Sequence, residues 1–229
     1  MNFVLARVIC VIAGYIFGLF ETGAIIARRA NVDLRKEGSG NIGTTNSLRV
    51  LGPKAGLITL LGDVGKCVLV MFLVFLVFRN IFPAPENGYR LLMVYAGMGT
   101  ILGHNFPFYH GFKGGKGVAC VGGMVLAFSP ALAGIAFAVF VIVVIATRYV
   151  SLGSMSAELF LIIETIFFGY LGMFTKLQGA YLIELEILFF LNFVLCVFQH
   201  RANVGRLLRG EENKFSFKKS GKKAETEEK

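Results

Sequence analysis

Long, mainly apolar runs alternate with short polar segments along this chain, and the length of each run limits what it can be. A helix crossing roughly 30 Å of hydrocarbon needs about 20 mainly apolar residues. Seven runs are candidates: Phe3–Ala27, Ala55–Phe78, Tyr89–Gly103, Val118–Phe128, Pro130–Thr147, Met155–Thr175 and Ala180–Gln199. The third and fourth hold only 15 and 11 residues, so they are expected to tilt, break or stop short of crossing. From Gly117 to Thr147, 31 consecutive residues carry no charge, with Ser129-Pro130 inside the interval. Proline disrupts a helix interior, so two helices joined by a tight turn are expected there. The pattern predicts an all-α membrane protein, a bundle of seven transmembrane helices.

Composition agrees with the pattern. Of 229 residues, 55% are hydrophobic and 16% charged, against about 25% charge in an ordinary soluble domain. Disordered chains are apolar-poor and charge-rich, which excludes that class for most of the length. Cys10, Cys67, Cys120 and Cys196 are scattered in apolar runs with no C-x-x-C pair, which excludes a disulfide framework and a thiolate zinc site. No convergent set of His, Asp or Glu predicts a metal, and no cofactor is expected.

A net charge of +9 alone does not distinguish a nucleic-acid partner from a membrane. Its distribution does, and no nucleic acid is expected. With seven crossings and the N-terminus outside, 18 Lys/Arg fall on the inner side, within 28–54, 104–117, Arg148 and the tail from Arg201. Only Arg7, Arg79, Arg90 and Lys176 remain outside, and Lys66 lies within the second run. The positive-inside rule predicts such a split, placing the C-terminus in the cytoplasm. The first run is too long for the apolar core of a cleavable signal peptide and ends in charged sequence. Residues 1–212 read as one transmembrane unit, and 213–229 as a charged, disordered tail.

The chemistry gathers in the inner segments. They are Glu37–Arg49, Gly103–Ala119 and His200–Glu212, with a short fourth, Arg148–Ser154. Glycine-rich loops let backbone N–H groups converge on an anion while adjacent Lys/Arg supply charge, so these segments read as a phosphate-handling site. Two familiar motifs fail. Gly38-Ser-Gly-Asn-Ile-Gly43 has the dinucleotide spacing, but no strand precedes it. Gly115-Lys116 suggests a phosphate-binding P-loop, yet His110 stands where glycine is required and Gly117 where Ser/Thr is. On a helix continuing the last run, His200, Asn203 and Arg206 share one face. Glu212 is either a simple tail carboxylate or a tie from the tail back to one of the nearby arginines. Within the spans, Asp63 and Lys66 are expected to form a mutual ion pair facing the interior; Glu21 and Glu164 have no partner nameable from sequence.

Read as the strings GSGNIGTTNSLRVLG, GHNFPFYHGFKGGKGVA and HRANVGRLLRGEE, these segments resemble the bacterial integral-membrane acyl-phosphate:glycerol-3-phosphate acyltransferases of the PlsY type. The resemblance covers nearly the whole chain except the tail. Thr44 stands where that family usually has alanine, and Cys120 where it usually has threonine. The resemblance implies transfer of a fatty acyl group from acyl phosphate to the 1-hydroxyl of sn-glycerol 3-phosphate. Lysophosphatidic acid and phosphate would be the products, made at the cytoplasmic face of the bacterial inner membrane among its lipids.

By the same resemblance, Ser39, Thr45, Asn46 and Arg49 look like substrate-phosphate ligands, with Arg49 the principal charge. Lys113, the Gly114-Gly115 backbone and Lys116 would hold glycerol 3-phosphate or the departing phosphate, with Ser151 a further contact. His200 and Asn203 would position acyl phosphate or the acceptor hydroxyl. Gly40 and Glu212 would be structural. The H-x-x-x-x-D box of acyl-CoA-dependent acyltransferases is absent, because the fifth residues after His104, His110 and His200 are Tyr109, Gly115 and Gly205. The alternative reading is a transporter or channel for phosphorylated metabolites, which would place its anion site near the bilayer midplane. Oligomeric state is not encoded visibly.

Overall fold

The computed structural model describes residues 2–82 and 87–215, and within them the chain is entirely helical, without strands. Most of the expected tail, residues 216–229, lies outside the described residues. The elements are α1 (Phe3–Gly18), α2 (Thr22–Arg29), α3 (Thr44–Leu51), α4 (Pro53–Leu76), α5 (Gly88–Asn105), α6 (Val118–Phe128), α7 (Pro130–Thr147), α8 (Val150–Tyr170), α9 (Gly179–Gln199) and α10 (Arg201–Leu208). A π turn, Val77–Ile81, extends α4. Among the described residues, five segments are long and apolar enough to cross a membrane: Phe3–Arg29, Pro53–Ile81, Pro130–Thr147, Val150–Tyr170 and Gly179–Gln199.

Proline sets two of the boundaries. Pro53 and Pro130 open α4 and α7, where a missing N–H costs nothing because the first turn has no partner for it. The long uncharged interval is accordingly two helices, parted at Ser129. The first apolar run, in contrast, is not one helix. It breaks between Gly18 and Thr22, where Lys66 Nζ donates to the Gly18 and Phe20 carbonyls at 3.3 and 2.8 Å. Those are carbonyls that a helix end leaves without an intrahelical donor.

The third run, short and only moderately apolar, forms the centre of the bundle. As α5 it is an 18-residue helix, buried from Leu91 through Asn105 almost without interruption. Its glycines explain the weak hydropathy. A Cβ at Gly99 or Gly103 would lie 2.2 Å from the Val11 or Tyr15 carbonyl oxygen of α1, and one at Gly14 of α1 would lie 2.0 Å from Ala96 O. Small residues thus bring the two backbones into contact, as is common where helices associate in lipid. α7 is the opposite case: very apolar, with Leu132 its single buried residue. α6, at 11 residues, is roughly 16 Å long, too short to cross by itself.

Polar contacts divide the helix ends into two groups. At one end Arg7 grips Glu184 with two bonds of 2.5 and 2.6 Å, and Tyr95 donates to the same carboxylate at 2.5 Å. Arg90 there donates to the carbonyls of Thr175 and Phe128 at 2.9 and 2.7 Å. Two of the four basic residues at this end are therefore internal clamps. All the glycine-rich segments gather at the other end.

Candidate functional site

The segment between α5 and α6 folds back on the end of α5. Gly114 N–H donates to Asn105 O at 3.1 Å and Gly115 N–H to His104 O at 3.0 Å. The approach is so close that a Cβ at Gly114 would lie 2.0 Å from His104 O, and one at Gly115 would lie 2.1 Å from His104 Nε2. Glycine is thus required here for proximity. It also means that these two amides, expected to face an anion, are already committed to carbonyls. The donors left at this loop are the Lys113 and Lys116 side chains and the start of α6, where Gly117 provides no side-chain cap.

Lys116 joins this loop to the third segment. Its Nζ donates to Asn203 Oδ1, and Asn203 Nδ2 donates in turn to Glu212 Oε1 at 2.6 Å. Ser151 Oγ reaches the same oxygen at 2.9 Å, and Arg206 Nε bonds Glu212 Oε2 at 2.7 Å. Glu212 thus ties α8, α10 and, through Asn203, the glycine loop into one knot. Burial pushes its carboxyl up, but the bonds from Asn203, Arg206 and Ser151 outweigh that and leave it below the usual carboxylate range. Burial lowers Lys116 to about 8, although Glu212 draws it up. His200 sits where the chain passes from α9 to α10; burial first, and then the Lys116 charge, push it down to about 4. Its Nδ1 lies 2.9 Å from Cys196 O, so the proton belongs on Nδ1 and the Nε2 lone pair is left as an acceptor.

The first segment is pinned by Asn46, which is buried. Asn46 accepts from Ser39 N–H at 2.8 Å and donates to the carbonyls of Leu34 and Glu37 at 3.1 and 3.0 Å. Its amide is therefore occupied in shaping the loop, which differs from the expected contact with substrate. Gly38 and Gly40 take φ of 61° and 72°, a region that favours glycine. Ser39 is exposed, Thr45 lies in the first turn of α3, and Arg49 is half-buried in its last turn. Among the described residues the Arg49 and Lys113 side chains enter no ion pair or hydrogen bond, while Arg35 bridges their two segments. Arg35 Nη2 donates to Lys113 O at 3.4 Å, and Nη1 lies 3.4 Å from His110 Nδ1.

Sequence reasoning missed some neighbours. Glu21, which had no nameable partner, lies 3.6 Å from Arg35 and 3.3 Å from His110. Asp63 and Lys66 do pair, at 3.0 Å, but the pair also includes His104, whose Nδ1 is 2.9 Å from Lys66 Nζ. Spacing within α4 identifies the first two; nothing in the sequence places His104 beside them. Asp63, His104 and Cys120 bring their donor atoms within 4.8 Å of one another. Lys66 Nζ lies among them, so an ammonium occupies the place a metal cation would take.

Comparison with known proteins points the same way. The family model for glycerol-3-phosphate acyltransferase matches residues 8–210. The glycerol-3-phosphate acyltransferase of Shouchella clausii is 40% identical over 227 residues, covering 94% of this chain and 98% of its own. That of Aquifex aeolicus is 35% identical over 212 residues, covering 90% and 97%. The crystal structure of PlsY, an integral membrane glycerol 3-phosphate acyltransferase, in its glycerol 3-phosphate form matches with a TM-score of 0.76. The identity is 31%, over 92% of this chain and 96% of that one. The lysophosphatidic acid form matches at 0.74 and 30% identity, with the same coverage.

Proposed function

Since the chain belongs to the glycerol-3-phosphate acyltransferase family, we propose that it moves a fatty acyl group from acyl phosphate to the 1-hydroxyl of sn-glycerol 3-phosphate. The products are lysophosphatidic acid and inorganic phosphate. The observation that carries this reading is the convergence of Lys116, Asn203, Ser151 and Glu212 at the end that also holds Arg49 and Lys113, whose side chains have no counter-charge among the described residues. Both substrates bring a phosphate dianion, and charged donors of this kind are what binds one.

Acyl phosphate is a mixed anhydride with phosphate as a good leaving group, so positioning and charge stabilisation supply much of the catalysis. Arg49 and Lys113, with Ser39 and Thr45, hold the phosphates. Lys116, oriented by Asn203 and Glu212, stabilises charge on the reacting oxygens. His200 Nε2 accepts the hydrogen bond of the acceptor hydroxyl. With a pKa of about 4, His200 is a weak base at neutral pH, where an effective one would titrate near 7. The hydroxyl proton therefore leaves on a phosphate oxygen of the donor. The C–O bond to glycerol forms as the acyl carbon–oxygen bond to phosphate breaks.

In the same reading the chain crosses seven times, α1, α4, α5, α7, α8 and α9 making six of the crossings and α6 with the segment leading into it the seventh; the N-terminus is outside, and the site faces the cytoplasm at the inner membrane. Residues 1–212 form the catalytic unit. The distribution of Lys/Arg and the two-ended sorting of polar contacts support this arrangement.

The test supplies purified protein with glycerol 3-phosphate and either palmitoyl phosphate or palmitoyl-CoA, following phosphate and lysophosphatidic acid together. Product from palmitoyl phosphate alone is expected. Product from palmitoyl-CoA would overturn the donor, and none from either would favour transport.

The state of Lys116 gives a second expectation. Its charged form is required and is lost as pH rises through its pKa of about 8. The value of kcat/KM should therefore fall above pH 8, and Lys116→Arg should remove that limb, because a guanidinium stays charged. An unchanged alkaline limb in Lys116→Arg would assign the titration elsewhere.

A further inference from the structure

The glycine loop rests on a buried polar group that the reaction as described does not use. Lys66 extends from α4 into the bundle, its side chain 5% exposed, and its Nζ meets three hydrogen-bond acceptors and one ion-pair partner, Asp63. These are Gly18 O at 3.3 Å, Phe20 O at 2.8 Å, Asp63 Oδ1 at 3.0 Å and His104 Nδ1 at 2.9 Å. An ammonium donates and cannot accept, so Nδ1 of His104 presents its lone pair to Lys66 and the ring carries its proton on Nε2. Nε2 is the ring atom lying against Gly115, where a Cβ would come within 2.1 Å of it. The same histidine holds Gly115 N–H through its carbonyl oxygen at 3.0 Å. The ring therefore forms the floor beneath Gly114-Gly115, and Lys66 decides which face of that floor the loop meets. Because Lys66 also ties down the end of α1, one side chain joins the α1–α2 break to the level of the loop.

We infer that Lys66 is a positioning residue for the glycine loop: by fixing the tautomer and orientation of His104 it sets the height at which Lys113 and Lys116 are held. The effect on turnover rests on the reading under Proposed function; the tautomer does not. A misplacement of about 1 Å in a site of this kind costs on the order of a hundredfold in rate. The expected signature is a fall in kcat/KM for glycerol 3-phosphate, since the loop carries both Lys113 and Lys116 while Lys66 itself touches no substrate.

The chain has three histidines, so the protein labelled with ¹⁵N-histidine in detergent gives a spectrum in which each ring can be assigned. Wild-type His104 should show hydrogen on Nε2 and a bare, hydrogen-bonded Nδ1. In Lys66→Met, Nδ1 loses its donor and faces Asp63, 3.8 Å away, without a cation between them. Nδ1 should then take up a proton, and kcat/KM should fall about tenfold or more. Should Lys66→Met fail to fold, His104→Asn serves instead. It keeps an acceptor for Lys66 and removes the ring beneath Gly115, so it should fold and lower kcat/KM in the same way. A bare Nδ1 or wild-type kcat/KM in Lys66→Met, or wild-type kcat/KM in His104→Asn, overturns the proposal. A wild-type protein inactive on acyl phosphate would instead refute the reaction, and the His104 spectrum of Lys66→Met would then decide the arrangement by itself.

Discussion

Arg49→Ala and Lys113→Ala are each expected to lower kcat/KM by at least about a hundredfold, while the unfolding transition stays where it is in wild type. Removing one preorganised charge or donor aimed at a developing oxyanion or transferring group typically costs about 10²–10³ in rate. The second half of the expectation comes from the structure. Neither side chain enters an ion pair or hydrogen bond among the described residues, and Lys113 is exposed. Truncating either should leave no buried partner unsatisfied, and surface changes of that kind usually alter stability by less than about 0.5 kcal/mol. Steady-state kinetics beside a thermal melt of each purified variant would check both halves. Near-normal turnover in either would remove that residue from the site.

The second large effect is expected at Gly114, and it is steric. A Cβ there would fall 2.0 Å from His104 O, 2.6 Å from Pro107 Cδ and 3.0 Å from Asn105 O. Two of those atoms are backbone at the end of a buried helix and cannot swing aside. Gly114→Ala must therefore push the loop off α5, breaking the bonds from Gly114 and Gly115 to Asn105 O and His104 O. Overpacking of this kind costs about 1–3 kcal/mol, and the displaced Lys113 and Lys116 should lower turnover by about a hundredfold. Gly122→Ala in α6 is the matched control. Nothing lies within 4 Å of its Cβ, so activity should be unchanged and helix propensity favours alanine by about 1 kcal/mol. Wild-type turnover in Gly114→Ala would show that the loop does not need its contact with α5.

Much of the architecture was legible because lipid imposes length. The runs that became α4, α7, α8 and α9 had to be long and mainly apolar, and Ser129-Pro130 marked the boundary between α6 and α7 in advance. α5 was underestimated for an identifiable reason. Hydropathy detects contact with lipid, whereas α5 faces protein on every side and uses glycine to let α1 approach. The first run was overestimated because the break after Gly18 is held open by Lys66, 48 residues away.

The site divides in the same way. The sequence by itself determined the residue types and their grouping: three polar segments, rich in glycine and cations, between apolar runs, with Asp63 and Lys66 one helical turn apart. Those features follow from local spacing and from the cost of placing charge in hydrocarbon, and both can be read along a chain. Only the tertiary structure decided which groups are available. It committed the amides of Gly114 and Gly115 to α5 and the side chain of Asn46 to its own loop. It gathered Ser151, Asn203 and Arg206 on Glu212, and it brought His104 onto Lys66. The reason is physical: a hydrogen bond is set by distances of about 3 Å, and residues dozens of positions apart come that close only after the helices have packed.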